Sequence, residues 1–170
     1  RHRLVLLATS LRESVSTRLR YSGFMAGLEI GIGRKVSFRV IEAISWREEH
    51  GYAAMKRLLA NPSARPDAVY CTGDFLAVGA FRALRDERLR VPNDVSLVGG
   101  TGLHVSETFC PRLTRTQQPL EKIGESLMKM LCQRIEFRHN GSASLPGLIL
   151  ETPFIGGATT RSEENEFLGV

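Results

Sequence analysis

The segment from Asp67 to Gly100 constrains the fold of this 170-residue chain more than any other part of it. An apolar run leads to Gly73-Asp74, a helical pattern follows, and a second apolar run after the Val91-Pro92 turn ends at glycines. A strand, a helix and a second strand in this order are typical of a parallel α/β unit, because parallel neighbours need a crossover connection. We therefore predict an α/β fold in which a parallel sheet is flanked by helices.

The same alternation of apolar and helical runs continues along the chain. Strands are predicted at 4–8, 36–44, 68–72, 95–98, 113–117 and 148–154, and helices at 17–28, 48–60, 75–87 and 119–137. Asp74 is predicted to cap the third helix, because its carboxylate can accept the free amides of the first turn. A long loop is predicted at 99–112 and a mobile tail at 161–170.

Composition and charge exclude several classes of function. The net charge is +5 and the pI about 9.5, but the basic residues alternate with acids, so direct nucleic-acid binding by this segment is not expected. No apolar run approaches the ~20 residues that span a bilayer. Three cysteines (Cys71, Cys110 and Cys132) form no CxxC pair, which argues against a disulfide scaffold or a zinc site. We expect no cofactor and a cytoplasmic location.

The sequence also offers little for catalysis. The histidines are dispersed, and no short-spaced pair of metal ligands is present. A hydrolase triad of Ser10, His104 and Asp74 can be imagined, but no G-x-S-x-G elbow supports it. We predict that the chain is not an enzyme.

A ligand site is predicted at one edge of the sheet. In open parallel sheets, ligands bind beyond the carboxyl ends of the strands, where loops and helix N-termini converge. That rule selects Ser10 to Arg12, Ser45-Trp46, Gly73-Asp74 and Gly99 to Gly102. Trp46 is expected either to pack against the fold or to stack on a sugar ring. The glycine run could cradle a phosphate, although the missing Lys-Ser/Thr favours a flexible loop wall.

Four stretches of the chain carry a resemblance to a known family. They are VSTRLRYSGF at 15–24, the unit at 67–100, VGGTG at 98–102 and LTRTQQP at 113–119. The pattern, from Leu4 to about Thr160, resembles the effector-binding domain of the lac-repressor family of bacterial transcription regulators. The resemblance implies a periplasmic-binding-protein-like lobe, a small-molecule effector and a homodimer. DNA would be bound only through an N-terminal headpiece absent from this chain, and the start at Arg1 suggests a piece of a longer protein. The alternative is a periplasmic sugar-binding protein of a transport system, which shares the fold.

The resemblance also implies roles for individual residues. Arg20, three residues before Gly23, matches an arginine that grips sugar hydroxyls or a carboxylate, and Trp46 matches an aromatic that stacks on the ligand. Gly73-Asp74 stands where the family usually has Asn-Asp, and Gln118 matches the hinge residue. The predicted ligand-binding residues are Ser10, Arg20, Trp46, Gly73, Asp74, Thr101 and Gln118.

The departures from the family pattern suggest an altered ligand. Thr101 and Gly102 stand where the family typically has two acids, which ordinarily accept hydrogen bonds from sugar hydroxyls. The loss of such acceptors should discriminate against a neutral sugar. The retained Arg20 suits a sugar acid or a sugar phosphate. Alternatively, this member has lost small-molecule control and responds to a protein partner.

By the family's topology, the chain divides between two lobes. Residues 1–115 would form the C-terminal lobe, residues 116–152 the hinge with a helix and a strand of a largely missing N-terminal lobe, and residues 153–170 the return strand and tail. The helix at 119–137 has an apolar face to bury, so an intersubunit contact or a swapped arrangement is predicted. Val78, Phe81 and Phe109 match the family's dimer interface, although the apolar residues of that helix could equally face the sheet.

Overall fold

The computed structural model describes residues 2–31, 36–137 and 147–161. Its strands are β1 (His2–Ala8), β2 (Val36–Glu42), β3 (Ala68–Cys71), β4 (Ser96–Gly99), β5 (Thr114–Thr116) and β6 (Phe154–Ile155). Its helices are α1 (Val15–Gly31), α2 (Glu48–Leu59), α3 (Asp74–Asp86), α4 (His104–Thr108) and α5 (Leu120–Phe137), and a single 3-10 turn covers Pro62–Ala64. The predicted α/β class is confirmed. The predicted tail at 161–170 lies outside the described residues, apart from Arg161.

The six strands form one sheet in the order β2-β1-β3-β4-β5-β6. The first five are parallel, and β6 runs antiparallel to β5. The chain moves outward from β1 to β2, then returns across β1 to form β3. The strand order therefore reverses between β1 and β3, which opens a crevice beyond their carboxyl ends.

Both faces of the central strands are covered, which explains why β1 is apolar throughout. Val5 and Leu7 belong to the core beneath α2 and α3. Leu6 lies between them and points to the opposite face of the sheet, where it is fully buried as well. On the side of α1, the Phe24 ring lies 6.2 Å from the rings of Tyr70 and Phe38. No helix among the described residues has the length and apolar character that a bilayer span requires.

Helices α2 and α3 pack with their backbones in direct contact. A Cβ at Gly79 of α3 would collide with the Glu48 carbonyl oxygen and would lie 2.6 Å from the Tyr52 amide nitrogen. Only a glycine permits that approach. The two helices thereby cover one face of the sheet as a single layer.

The structure corrects several sequence-based boundaries. The prediction that Asp74 caps α3 is wrong: Gly73 is the N-cap, and the amide of Asp74 itself donates to the Thr101 hydroxyl at 3.3 Å. Helix α1 begins at Val15 because the Ser14 hydroxyl accepts the Thr17 amide at 3.1 Å, a bond typical of an N-cap. The predicted loop at 99–112 contains α4, β2 ends at Glu42, and the last strand is confined to Phe154–Ile155.

Candidate functional site

Two adjoining depressions lie at the carboxyl edge of the sheet and meet at Ser16 and Arg20. The smaller, of about 250 Å³, is lined by Ser16, Arg20, Trp46, Gly73, Asp74, Phe75, Thr101 and Leu103. The larger, of about 610 Å³, is lined by Val15, Ser16, Leu19, Arg20, Tyr70, Gly100, Thr116, Gln118 and Thr152. We call the two together the edge cleft. Its position matches the crevice at which the strand order reverses.

Arg20 is the cation of the edge cleft. Helix α1 carries it over the carboxyl end of β3, and its guanidinium donates to the Ser16 hydroxyl one turn earlier. Burial raises the pKa of the Tyr70 phenol above its ordinary value, and the positive charge of Arg20 partly offsets that rise. Arg20 and Tyr70 line the same depression.

Trp46 follows β2 and provides the aromatic wall of the smaller depression. Its side chain is 39% exposed, so the indole is neither a core residue nor fully in solvent. The six-membered ring of the indole lies against Gly73, the residue that precedes α3. The indole thus packs on the fold and also lines the cleft, and its stacking on a ligand stays a prediction.

Asp74 is fully buried and holds the loop that follows β4. Its Oδ1 accepts the Thr101 amide at 3.1 Å, and its Oδ2 accepts the Leu103 amide at 2.6 Å. A Cβ at Gly99 would lie 2.6 Å from the same carboxylate, so the small residue makes room for it. Because these two loop amides already donate to Asp74, they are not available to cradle a phosphate.

A second set of contacts holds the same loop from the side of β5. The Gln117 amide nitrogen donates to the Gly102 carbonyl at 2.9 Å, and the Gln118 backbone amide donates to the Thr101 carbonyl at 3.3 Å. Arg115, only 5% exposed, donates to the Gln117 oxygen at 3.0 Å. Sequence reasoning missed Arg115 and Gln117. The available signal was the long cation Arg115 inside the LTRTQQP stretch, which otherwise resembles the family's Leu-Thr-Thr-Val-x-Gln-Pro.

The structure brings six of the seven predicted ligand-binding residues to the edge cleft. They are Arg20, Trp46, Gly73, Asp74, Thr101 and Gln118. Ser10 does not line either depression, and its carbonyl accepts the Ser14 amide at 3.2 Å at the start of α1.

The imagined triad of Ser10, His104 and Asp74 does not assemble. The exposed His104 lies 3.6 Å from a Glu107 oxygen, whereas Asp74 is occupied by backbone amides. The described part of the chain brings no three His, Cys, Asp or Glu side chains together in a way that could hold a metal ion.

The residues expected at a dimer interface lie at the border of the core. Val78 of α3 is buried. The rings of Phe81 and Phe109 pack edge to face, with centroids 4.9 Å apart. Both rings are partly buried against the core. The apolar residues of α3 thus serve the fold itself, and their role between subunits stays a prediction.

Comparison with known proteins agrees with this geometry. The family model of the periplasmic binding protein-like domain matches residues 1–160. The HTH-type transcriptional repressor PurR of Escherichia coli O139:H28 is 38% identical over 116 residues, which cover 68% of this chain and 33% of the repressor. The chain thus spans about a third of the length of the curated relatives it matches.

Solved structures show the same fold. The lac repressor dimer bound to operator and the anti-inducer ONPF superposes with a TM-score of 0.77 at 27% identity, covering 95% of this chain and 53% of that one. A LacI-family regulator from Sanguibacter keddieii DSM 10542 gives a TM-score of 0.82 at 28% identity, covering 95% and 59%. The chain therefore belongs to the periplasmic binding protein-like family, and within it to the effector-binding domains of LacI-family transcriptional regulators.

Proposed function

We propose that this chain is the effector-binding and dimerisation part of a bacterial transcription regulator that acts in the cytoplasm. A small molecule bound in the edge cleft would be closed in by a second lobe, and the closure would reposition paired DNA-binding headpieces. The regulator interpretation is favoured over a periplasmic sugar-binding protein because the relatives are transcriptional repressors. Ligand binding is favoured over catalysis because the cleft assembles no nucleophile with a base.

We propose further that the ligand is a sugar-like acid. The observation that carries this is the charge balance of the cleft. Arg20 is the only cation among the described lining residues, and its polar partner there is the neutral Ser16 hydroxyl. Asp74, the only acid among the same residues, already accepts two backbone amides. A guanidinium without a competing free carboxylate favours an anionic ligand.

Calorimetry on the full-length protein tests this ligand class. D-glucuronate and D-glucose 6-phosphate are compared with D-glucose. The better acid should bind at least about tenfold tighter, as expected for a hydrogen bond to a charged group. Arg20→Gln should remove that preference, while Arg39→Gln, on the edge strand β2 and away from the cleft, should keep it. Tighter binding of the neutral sugar would contradict the proposal.

We propose that the chain divides between two lobes, because the apolar side chains of α5 are exposed. Residues 1–115 form one lobe, residues 116–152 the hinge and part of a second lobe, and residues from 153 the return to the first. Leu127, Leu131 and Ile135 are more than half exposed, although the core beside α2 and α3 is complete. We propose a homodimer as well, with Val78, Phe81 and Phe109 near its interface. Light scattering on the full-length protein should give twice the monomer mass, and a monomer across the micromolar range would contradict it.

A further inference from the structure

Gly73 occupies a position where its backbone does not require glycine. Its φ is −150° and its ψ 150°, an extended conformation that any residue adopts. It is also the N-cap of α3, where Asn, Asp or Ser stabilises a helix by accepting a free amide. Glycine has no side chain that could accept one, and the Asp74 amide of the first turn donates to the Thr101 hydroxyl at 3.3 Å instead. A side chain at position 73 would, however, meet a close contact.

That contact is with Trp46. A Cβ built on Gly73 would lie 2.8 Å from Cε3 and 3.0 Å from Cζ3 of the indole. Real Cβ atoms do not approach ring carbons so closely, so any side chain at position 73 would push the indole away. Gly73 and Trp46 are therefore complementary in size, because one lacks a side chain where the other places its ring.

The pair changes what the smaller depression can recognise. At the resembling position the lac-repressor family usually has an asparagine, whose amide can hydrogen-bond a ligand. Here the space beside the start of α3 holds an indole face, with Phe75 and Leu103 also lining the depression. The remaining volume of about 250 Å³ is below the range for drug-sized ligands, so it suits a single ring.

We propose that Gly73 is a specificity-determining residue that places the Trp46 indole, so that the cleft selects a cyclic acid over an open-chain acid. The inference rests on the proposed ligand-binding role of the cleft and deepens it. The ring of the ligand would lie on the indole, and its acidic group would face Arg20, which lines the same depression. A sugar ring presents one face to the indole as a preorganised surface, whereas an open chain must lose conformational freedom to do the same.

The first arm of the test needs no ligand, because Trp46 is the only tryptophan in the chain. Gly73→Ala should shift the fluorescence maximum to longer wavelength and increase quenching by acrylamide, and Gly73→Asn should do so more strongly. Gly23→Ala is the matched control, since a Cβ there meets nothing within 4 Å. Gly73→Asn also supplies a preferred N-cap residue, so a loss of folding is not expected. Unchanged fluorescence in Gly73→Asn would overturn this inference and leave the proposed function intact.

The second arm measures selectivity by calorimetry, with D-glucuronate as the ring acid and D-gluconate as the open-chain acid. The wild type should prefer the ring acid by about fivefold to tenfold, as expected when the open chain must be ordered on binding and the ring need not be. Gly73→Asn and Trp46→Leu should both reduce the ratio towards one, whereas Gly23→Ala should keep it. A ratio retained in Gly73→Asn would overturn the inference. If the wild type binds none of D-glucuronate, D-gluconate and D-glucose 6-phosphate, both this inference and the proposed function are overturned.

Discussion

The apolar side chains of α2 and α3 are buried within this chain, whereas those of α5 are largely exposed. Helices α2 and α3 bury theirs on the sheet, where Met55, Leu76 and Leu84 have no solvent exposure. Helix α5 has an equally regular apolar face, yet Leu127 and Ile135 are 60% and 59% exposed. We call the first region the sheet core and the second the α5 segment, which comprises residues 120–137.

The difference shows which apolar helix faces are buried by other residues of this chain and which are not. Burying a Leu or Ile side chain gains about 1.5–3 kcal/mol, which the sheet core realises and the α5 segment does not. An exposed apolar helix face is usually an interaction surface. The sheet core should therefore set the stability of this chain, and changes in the α5 segment should affect assembly.

The largest expected difference between the two regions is in cysteine reactivity. Cys71 lies in the sheet core and Cys132 in the α5 segment, and only the second is exposed. Burial, reinforced by the negative charge of Asp74, raises the pKa of the Cys71 thiol far above its ordinary value, so the reactive thiolate is suppressed. In a Cys110→Ser variant of this 170-residue chain, Cys132 should react with a disulfide reagent at least about 10³-fold faster than Cys71, whose labelling requires opening of the core.

The same labelling experiment tests whether the α5 segment is exposed and whether the sheet core is closed. If Cys132 in the full-length protein reacts as slowly as Cys71, the α5 segment is covered there by a second lobe or a second subunit. If Cys71 reacts as fast as Cys132, the sheet core is not closed.

A second prediction uses one substitution at two helix-interior glycines. Gly79→Ala places a methyl group against the backbone of α2 and should destabilise the chain by about 1–3 kcal/mol or more. Gly124→Ala in α5 meets nothing within 4 Å, and the higher helix propensity of alanine should stabilise that helix by about 0.5–1 kcal/mol. Urea denaturation followed by circular dichroism measures both. Equal effects at the two sites would mean that α2 and α3 do not set the stability.

A third prediction concerns the junction between the two regions. Arg115 donates to Gln117, which in turn holds Gly102 of the cleft loop. Arg115→Ala leaves the Gln117 oxygen without this donor and should cost about 1.5–3 kcal/mol in the free energy of unfolding. Arg112 of the same segment is exposed and donates to the Gly156 carbonyl at 3.2 Å, so Arg112→Ala should cost less, about 0.5–1 kcal/mol. Hydrogen exchange at the Gln118 amide should accelerate only in Arg115→Ala, and no acceleration there would argue against a role for Arg115 at this junction.

The sequence predicted the sheet core well because its signals are local. Uninterrupted apolar runs such as Leu4 to Ala8 indicate strands buried on both faces, and the rule for parallel sheets located the edge cleft. The sequence-based prediction failed where a residue's role depends on a contact with a distant segment of the chain. Asp is a residue type common at helix N-caps, but the carboxylate oxygens of Asp74 accept backbone amides that lie 27 and 29 residues further along the chain. The packing of Trp46 on Gly73 and the burial of Arg115 have no local pattern either, since they depend on how the loops meet.

The smallest expected effect compares a surface ion pair in the turn between α3 and β4 with a surface ion pair in the α5 segment. Hydrogen bonds from the Arg90 side chain and backbone hold the pKa of the Asp94 carboxyl well below its ordinary value of 3.8. In α5, Lys129 lowers the pKa of Glu125 through a hydrogen bond of 2.6 Å. Both carboxyls have a lower pKa folded than unfolded, so each stabilises the chain fully above the ordinary pKa and loses that effect as pH falls from there through the folded pKa. Three bonds join Arg90 to Asp94 and one joins Lys129 to Glu125. Asp94→Asn should therefore lower the urea midpoint at pH 7 more than Glu125→Gln does, and the gap should narrow towards pH 3. A gap that widens on acidification would contradict the pairing of Asp94 with Arg90.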